Sequence, residues 1–178
     1  WRSPSVKVLR CLKWWLQESD QPMGAPIVDI NGLERVYTTQ DASGDSALGW
    51  GLIKGERLKA GRWMDLPVTP ISTGAKELYP IVAEVWTNPE EYAGKLYMPR
   101  TDSLSAFYAV NGGDSASQGM FDLLELLMRM CRLHNIRVLA EWTPRGQNFE
   151  PDTLSKFTHP HQHRTEALCN LSLPTLQM

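Results

Sequence analysis

Asp41, Glu77, Asp102 and Asp152 are the residues of this 178-residue sequence whose types and placement can do chemistry together. Asp41 ends the first long β-prone stretch and Glu77 lies in a helical one. Asp102 ends a second strand pattern, and Asp152 opens the last helical pattern. Acids at strand ends and at a helix start can converge on one edge of a sheet. Carboxylates gathered there repel one another, and divalent cations relieve that repulsion. An all-oxygen donor set suits Mg²⁺ or Mn²⁺. Two ions about 3.5–4 Å apart can clamp the attacking and leaving oxygens of an in-line phosphoryl displacement. The chain has 20 acids, so spacing alone leaves the plainer reading open, solvated acids at element ends.

The elements that must place these acids follow from the pattern. Ser3 to about Glu18 reads as a capped helix with Pro4 at its start, and Val8, Cys11, Leu12, Trp15 and Leu16 recur at helical spacing. Ile27–Ile30, the turn Asn31-Gly32 and Leu33–Asp41 read as a hairpin. Val36–Ser43, Ala47–Ile53 and Arg57–Met64 predict three consecutive antiparallel strands. Ser72 or Thr73 starts a helix in which Pro80 predicts a kink or a late start. Leu96–Thr101 is a strand and Ser103–Val110 a short helix closed by Gly112-Gly113. Ser115 and Gln118 have capping-box spacing ahead of a long helix over 119–134. That helix is apolar over most of its circumference, which predicts burial on more than one side. Asn135–Glu141 reads as one strand, Thr143–Asn148 as a loop and Pro151–Phe157 as a short helix. The order predicts an α/β fold with a mixed five-stranded sheet, three antiparallel strands then two parallel, flanked by helices. Residues 1–35 form a connecting segment (the N-terminal helix and hairpin), 36–158 the main domain and 159–178 a tail.

Composition narrows the class. At 42% hydrophobic and 21% charged the chain matches neither a disordered nor a collagen-like protein. No apolar run approaches a membrane span, since the longest, Leu123–Cys131, is interrupted by Glu125 and Arg129. Cys11, Cys131 and Cys169 are odd in number and far apart, which fits neither a disulfide framework nor a zinc site. An intracellular setting, cytoplasmic or nuclear, is the expectation. A net charge of −2 argues against bulk electrostatic grip on nucleic acid, yet the four candidate acids more than account for it.

The words around these acids resemble the ribonuclease H domain of retroelement reverse transcriptases. Asp41-Ala42-Ser43, Gly49-Trp50-Gly51 and Gly61-Arg62-Trp63 are similar to that family's opening strands, and Lys76-Glu77-Leu78 to its Lys-Glu-Leu helix. Thr101-Asp102-Ser103 resembles its Thr-Asp-Asn/Ser element. Ala140-Glu141-Trp142-Thr143-Pro144, Asn148 and Asp152-Thr153-Leu154-Ser155-Lys156 resemble its closing signature. Trp14-Trp15 and the Gly-x-Trp are most similar to tyrosine-recombinase (DIRS-like) elements, with Ty3-like elements second. The resemblance covers about Val36–Phe157.

The resemblance implies a ribonuclease H-like fold and endonucleolytic hydrolysis of the RNA strand of RNA–DNA hybrids with two Mg²⁺ ions, Mn²⁺ being an alternative. It implies that Asp41 bridges both ions, that Glu77 and Asp102 hold the ion facing the leaving 3′ oxygen, and that Asp152 holds the ion that activates water. It also implies an attached or associated reverse transcriptase polymerase and no membrane. The chain departs from the family pattern at Pro80, at Glu150-Pro151 before Asp152, and in an extra residue before Gly146; the loop also lacks a His that some relatives carry there. A reading from another class is a domesticated, non-catalytic module of this fold, a structural or interaction subunit of a ribonucleoprotein or other large assembly. Its partner would dock through the N-terminal segment and the 119–134 helix.

Weaker signals remain. Lys54, Arg57, Lys59 and Arg62 can track phosphates beside the acids or form an ordinary solvated strand face. Ser43, Ser103 and Asn148 flank the acids and complete the candidate substrate-binding set with Lys54, Arg57 and Arg62. Trp50, Trp63, Trp86 and Trp142 can stack on bases, though core packing suits their apolar surroundings better. His159, His161 and His163 fall in the tail, and Glu84 reads as a surface acid.

Overall fold

The structure, a computed structural model, describes residues 8, 9, 12, 13, 16, 30–66 and 72–156. The chain divides into two compact units, Trp1–Gly32 and Leu33–Met178. In the first, Val8, Leu9, Leu12, Lys13 and Leu16 are helical, and Ile30–Gly32 forms a 3₁₀ turn. Ser3, Pro4, Trp14-Trp15 and Ile27–Asp29 lie outside the described residues, as do Cys11, Cys169 and the expected tail with its histidines.

The second unit is built on a mixed six-stranded sheet. β1 (Arg35–Ala42), β2 (Gly49–Lys54) and β3 (Arg57–Arg62) form the antiparallel meander. β4 (Leu96–Thr101) runs parallel to β1 along its other edge. Asn31-Gly32 belongs to the 3₁₀ turn Ile30–Gly32, not to the expected two-residue hairpin turn.

The last predicted strand is also corrected. Asn135–Glu141 is split into β5 (Arg137–Val138) and β6 (Glu141–Trp142), both parallel to β4. The cause lies on the neighbouring strand. The N–H of Leu96 points to Glu34 of the segment entering β1, so alternation turns residues 97, 99 and 101 toward β5 and β6. Residue 99 is Pro, with no N–H to give at that rung. Ala140, which faces away from β4, is held by the side chain of Asn111, N–H to Oδ1 at 2.8 Å and carbonyl from Nδ2 at 3.1 Å.

Among its described residues are five α-helices: α1 (Thr73–Thr87), α2 (Pro89–Tyr92), α3 (Leu104–Gly112), α4 (Gln118–Leu133) and α5 (Phe149–Ser155). Ser72 caps α1 by accepting the Ala75 N–H, so the helix begins early and runs unbroken through Pro80. Proline there removes the bond that the Lys76 carbonyl would accept. The capping box before α4 does not form: Ser117 stands at the N-cap without a side-chain bond, while Ser115 Oγ accepts the Ser117 N–H. α5 starts two residues before the predicted position, with Pro151 inside its first turn, where a missing N–H costs nothing.

The core lies between the sheet and the α1–α4 pair. Trp50 and Leu52 of β2 meet Leu78, Ile81 and Val85 of α1 and Leu124 and Leu127 of α4. Most of the apolar surface of α4 is buried inside its own domain, as its wide apolar circumference predicts. Trp63 is also core, with its ring edge-on to Tyr79. Glu84 is buried, not a surface acid: it receives Lys59 Nζ at 2.8 Å and the Tyr92 hydroxyl at 2.6 Å. Among the described residues no helix is long and apolar enough to cross a membrane.

Candidate active site

Three of the four sequence-selected acids meet at the carboxyl edge of the sheet. Asp41 is the penultimate residue of β1, Asp102 follows β4 directly, and Glu77 sits on the second turn of α1. One carboxylate oxygen from each lies within 4.8 Å of the others. β1 and β4 are parallel neighbours, so their ends deliver Asp41 and Asp102 side by side.

Asp41 is reached from the far face of the sheet as well. Trp50 packs against Tyr79 of α1, so its successor Gly51 faces the other way, toward α5. A Cβ on Gly51 would stand 2.4 Å from Leu154 Cβ and 2.7 Å from the Pro151 carbonyl. Absence of a side chain lets α5 approach close enough for Ser155 Oγ to donate to Asp41 Oδ2 at 2.9 Å. Asn148, fully buried, anchors the start of α5 by donating to the Gln40 carbonyl at 3.2 Å. Around the corner, Lys76 Nζ holds the turn after β1 through the Gly44 carbonyl (2.7 Å) and Ser46 Oγ (3.0 Å).

The fourth acid, Asp152, stands outside the close trio. Lys156 Nζ lies 2.5 Å from its Oδ2 and Arg145 3.8 Å from its Oδ1. Of the proposed substrate-binding residues, Lys54 and Arg57 meet Glu91 of α2 instead of the acids. The Lys54 hydrogen bond leads in holding Glu91 down at about 2. Arg62 forms a two-pronged bridge to Asp65. Ser103 caps α3, and Ser43 accepts the Asp45 N–H. Trp142 is 47% exposed and donates its indole N–H to the Asp102 carbonyl.

Electrostatics mark the trio as short of positive charge. Burial pushes Glu77 up to about 8, reinforced by Asp41 and Asp102 and opposed by the Ala42 backbone and Arg145. Burial also raises Asp41 and Asp102. At Asp41 the Ser155 hydrogen bond opposes the rise and Asp102 and Asp152 add to it, while at Asp102 Arg145 opposes it. Glu77 Oε2 is buried with no hydrogen-bond partner. An orphaned carboxylate oxygen within an all-oxygen donor set fits a hard divalent cation.

Sequence reasoning missed Ser155, although it stands one turn from Asp152 on the same short helix, the spacing that shares a face. It also missed Arg145, whose only signal was its place in the loop before Asp152.

No protein-family model matches the sequence, and no curated protein matches it significantly. Solved structures do match. Ribonuclease H1 of the halophilic archaeon Halobacterium salinarum NRC-1 superposes with TM-score 0.51 at 14% identity, over 68% of this chain and 95% of that one. The N-terminal ribonuclease H domain of rv2228c from Mycobacterium tuberculosis gives 0.53 at 14% identity, over 68% and 96%. LC11-RNase H1, solved in complex with an RNA/DNA hybrid, gives 0.51 at 11% identity, over 67% and 91%. At such identities the shared property is the architecture, and this chain has a ribonuclease H-like fold.

Proposed function

We propose that the chain is a metal-dependent nuclease that hydrolyses the RNA strand of RNA–DNA hybrids, as the ribonuclease H part of a retroelement reverse transcriptase. The observation that carries this reading is the Asp41–Glu77–Asp102 trio with its unpartnered Glu77 oxygen, set at the carboxyl edge of a ribonuclease H-like sheet. The retroelement assignment rests on the sequence words that surround the acids.

Asp41, Glu77 and Asp102 would hold one divalent ion, and Asp41 with Asp152 a second. Bound there, Mg²⁺ or Mn²⁺ supplies Lewis-acid stabilisation of phosphoryl oxygens and a lowered pKa for water. The chain itself contributes positioning. Ser155 fixes one oxygen of Asp41, Asn148 fixes the base of α5, and Lys76 fixes the turn that follows Asp41. Selection of the RNA strand would rest on the ribose 2′-hydroxyl, which alone distinguishes it from DNA. Lys156 engages Oδ2 of Asp152, so Oδ1 is the oxygen that would be offered to the second ion.

The test is cleavage of a labelled hybrid in Mg²⁺, beside single-stranded RNA and duplex DNA. Cuts confined to the hybrid's RNA strand and lost by at least about 100-fold in Asp102→Asn are expected, the loss of several kcal/mol of transition-state stabilisation. Absence of cleavage, or cleavage undiminished in that variant, overturns the proposal.

A further inference from the structure

Arg145 is held at the mouth of the carboxylate cluster by a turn, Arg145–Gln147, that is tied down on both sides. Thr143 N–H donates to the Thr101 carbonyl at 2.9 Å and the Trp142 indole to the Asp102 carbonyl at 3.1 Å. On the other side Asn148 reaches the Gln40 carbonyl. The turn is thereby fixed to the carboxyl ends of β4 and β1, the strands that deliver Asp102 and Asp41. The Arg145 side chain is 81% exposed and its guanidinium lies 3.8 Å from Asp152, too far for a direct hydrogen bond. Its charge is nevertheless felt at Asp41, Glu77 and Asp102, where it opposes the upward shift of each. Lys156, by contrast, is in contact with Asp152.

A guanidinium held by attraction alone is free to change partner. Once the cluster's negative charge is neutralised, nothing draws Arg145 inward, and the turn beside it opens to solvent: a Cβ on Gly146 would meet no atom within 4 Å. The planar fork of arginine matches the oxygens of a phosphodiester. We propose that Arg145 contacts a backbone phosphate of the bound nucleic acid at the mouth of the cluster, an inference that rests on the hybrid-cleaving reading of the site. In the substrate-free chain the same charge opposes entry of divalent ions.

Binding of a labelled RNA–DNA hybrid to the full chain in Ca²⁺, over a range of salt, reads the contact without turnover. Arg145→Gln is expected to weaken binding about 5-fold and to make the slope of log K against log salt shallower by about one. Calorimetric titration of the hybrid-free variant with Mn²⁺ should show tighter binding than in the unsubstituted chain. Lys95→Gln, which removes a charge paired with Glu34 at the other end of β4, should leave both quantities unchanged. An unchanged slope in Arg145→Gln, or an equal loss in Lys95→Gln, overturns the contact while leaving the nuclease reading intact. Failure of the unsubstituted chain to bind hybrid at all ends both.

Discussion

The hydroxyl of Ser155 stands 2.9 Å from Asp41 Oδ2 and 2.9 Å from the carbonyl of Asp152 in its own helix. One proton cannot serve both acceptors. When Asp41 is ionised the hydroxyl is drawn to the carboxylate, which opposes the upward pull of burial on that group. Ser155 is therefore a positioning residue for the central acid. Ser155→Ala should lower cleavage about 10- to 100-fold, the usual effect of removing a group that orients a ligand. It should also move the rising limb of the pH–rate profile upward, which a merely structural loss would not do. A profile of unchanged shape removes Ser155 from this role.

Glu77, at about 8, gives the metal-free protein a specific pH signature. Its folded pKa lies above the unfolded value of about 4.3, so the folded state holds a proton that the unfolded state has lost. Stability then falls as pH rises from about 4.3 to about 8, by at most about 1.4 kcal/mol per pH unit. Glu77→Gln should flatten that slope in EDTA. Metal binding requires the ionised form, so Mn²⁺ affinity of the unsubstituted chain should climb through the same window. Thermal melts and calorimetry at pH 6, 7 and 8 measure both.

The buried Lys59–Glu84 pair is structural. Lys59→Met leaves the Glu84 carboxylate buried with hydrogen bonds from Tyr92 and the Asn88 amide but no cation, which should cost about 3–5 kcal/mol at neutral pH. Replacing both residues, Lys59→Met with Glu84→Gln, should recover much of the loss. Denaturant unfolding of the two single variants and the double one closes the cycle.

Gly51 is where the sheet admits α5. A methyl group there collides with Leu154 and the Pro151 carbonyl, and overpacking of this kind costs about 1–3 kcal/mol. Gly51→Ala should lower the melting temperature and, by lifting α5, separate Ser155 from Asp41. Cleavage should then fall further than the stability loss alone accounts for.

Local chemistry made the meander, α1 and the trio legible. Turn residues and β-branched runs punctuate β1 to β3, and acids at element ends stand out because a sheet edge collects them. What escaped depends on neighbours distant in sequence. Pro99 breaks a strand that does not contain it, by withholding a rung. Asn31-Gly32 satisfies the local rule for a hairpin, but Ile30–Gly32 winds into a 3₁₀ turn. Lys54 and Arg57 resemble a phosphate track until α2 brings Glu91 to them. Ser155 and Arg145 gain their meaning only after α5 and its preceding turn dock.

That docking has a consequence for how the protein comes into being. Asp41 and Ser155 are 114 residues apart, β1 meeting α5. A nascent chain emerging from the ribosome can complete the meander and pack α1 while α5 is still being translated. Its central acid stays unclamped until then. The setting of that acid is thus completed only when α5 comes to rest against the bare backbone of Gly51.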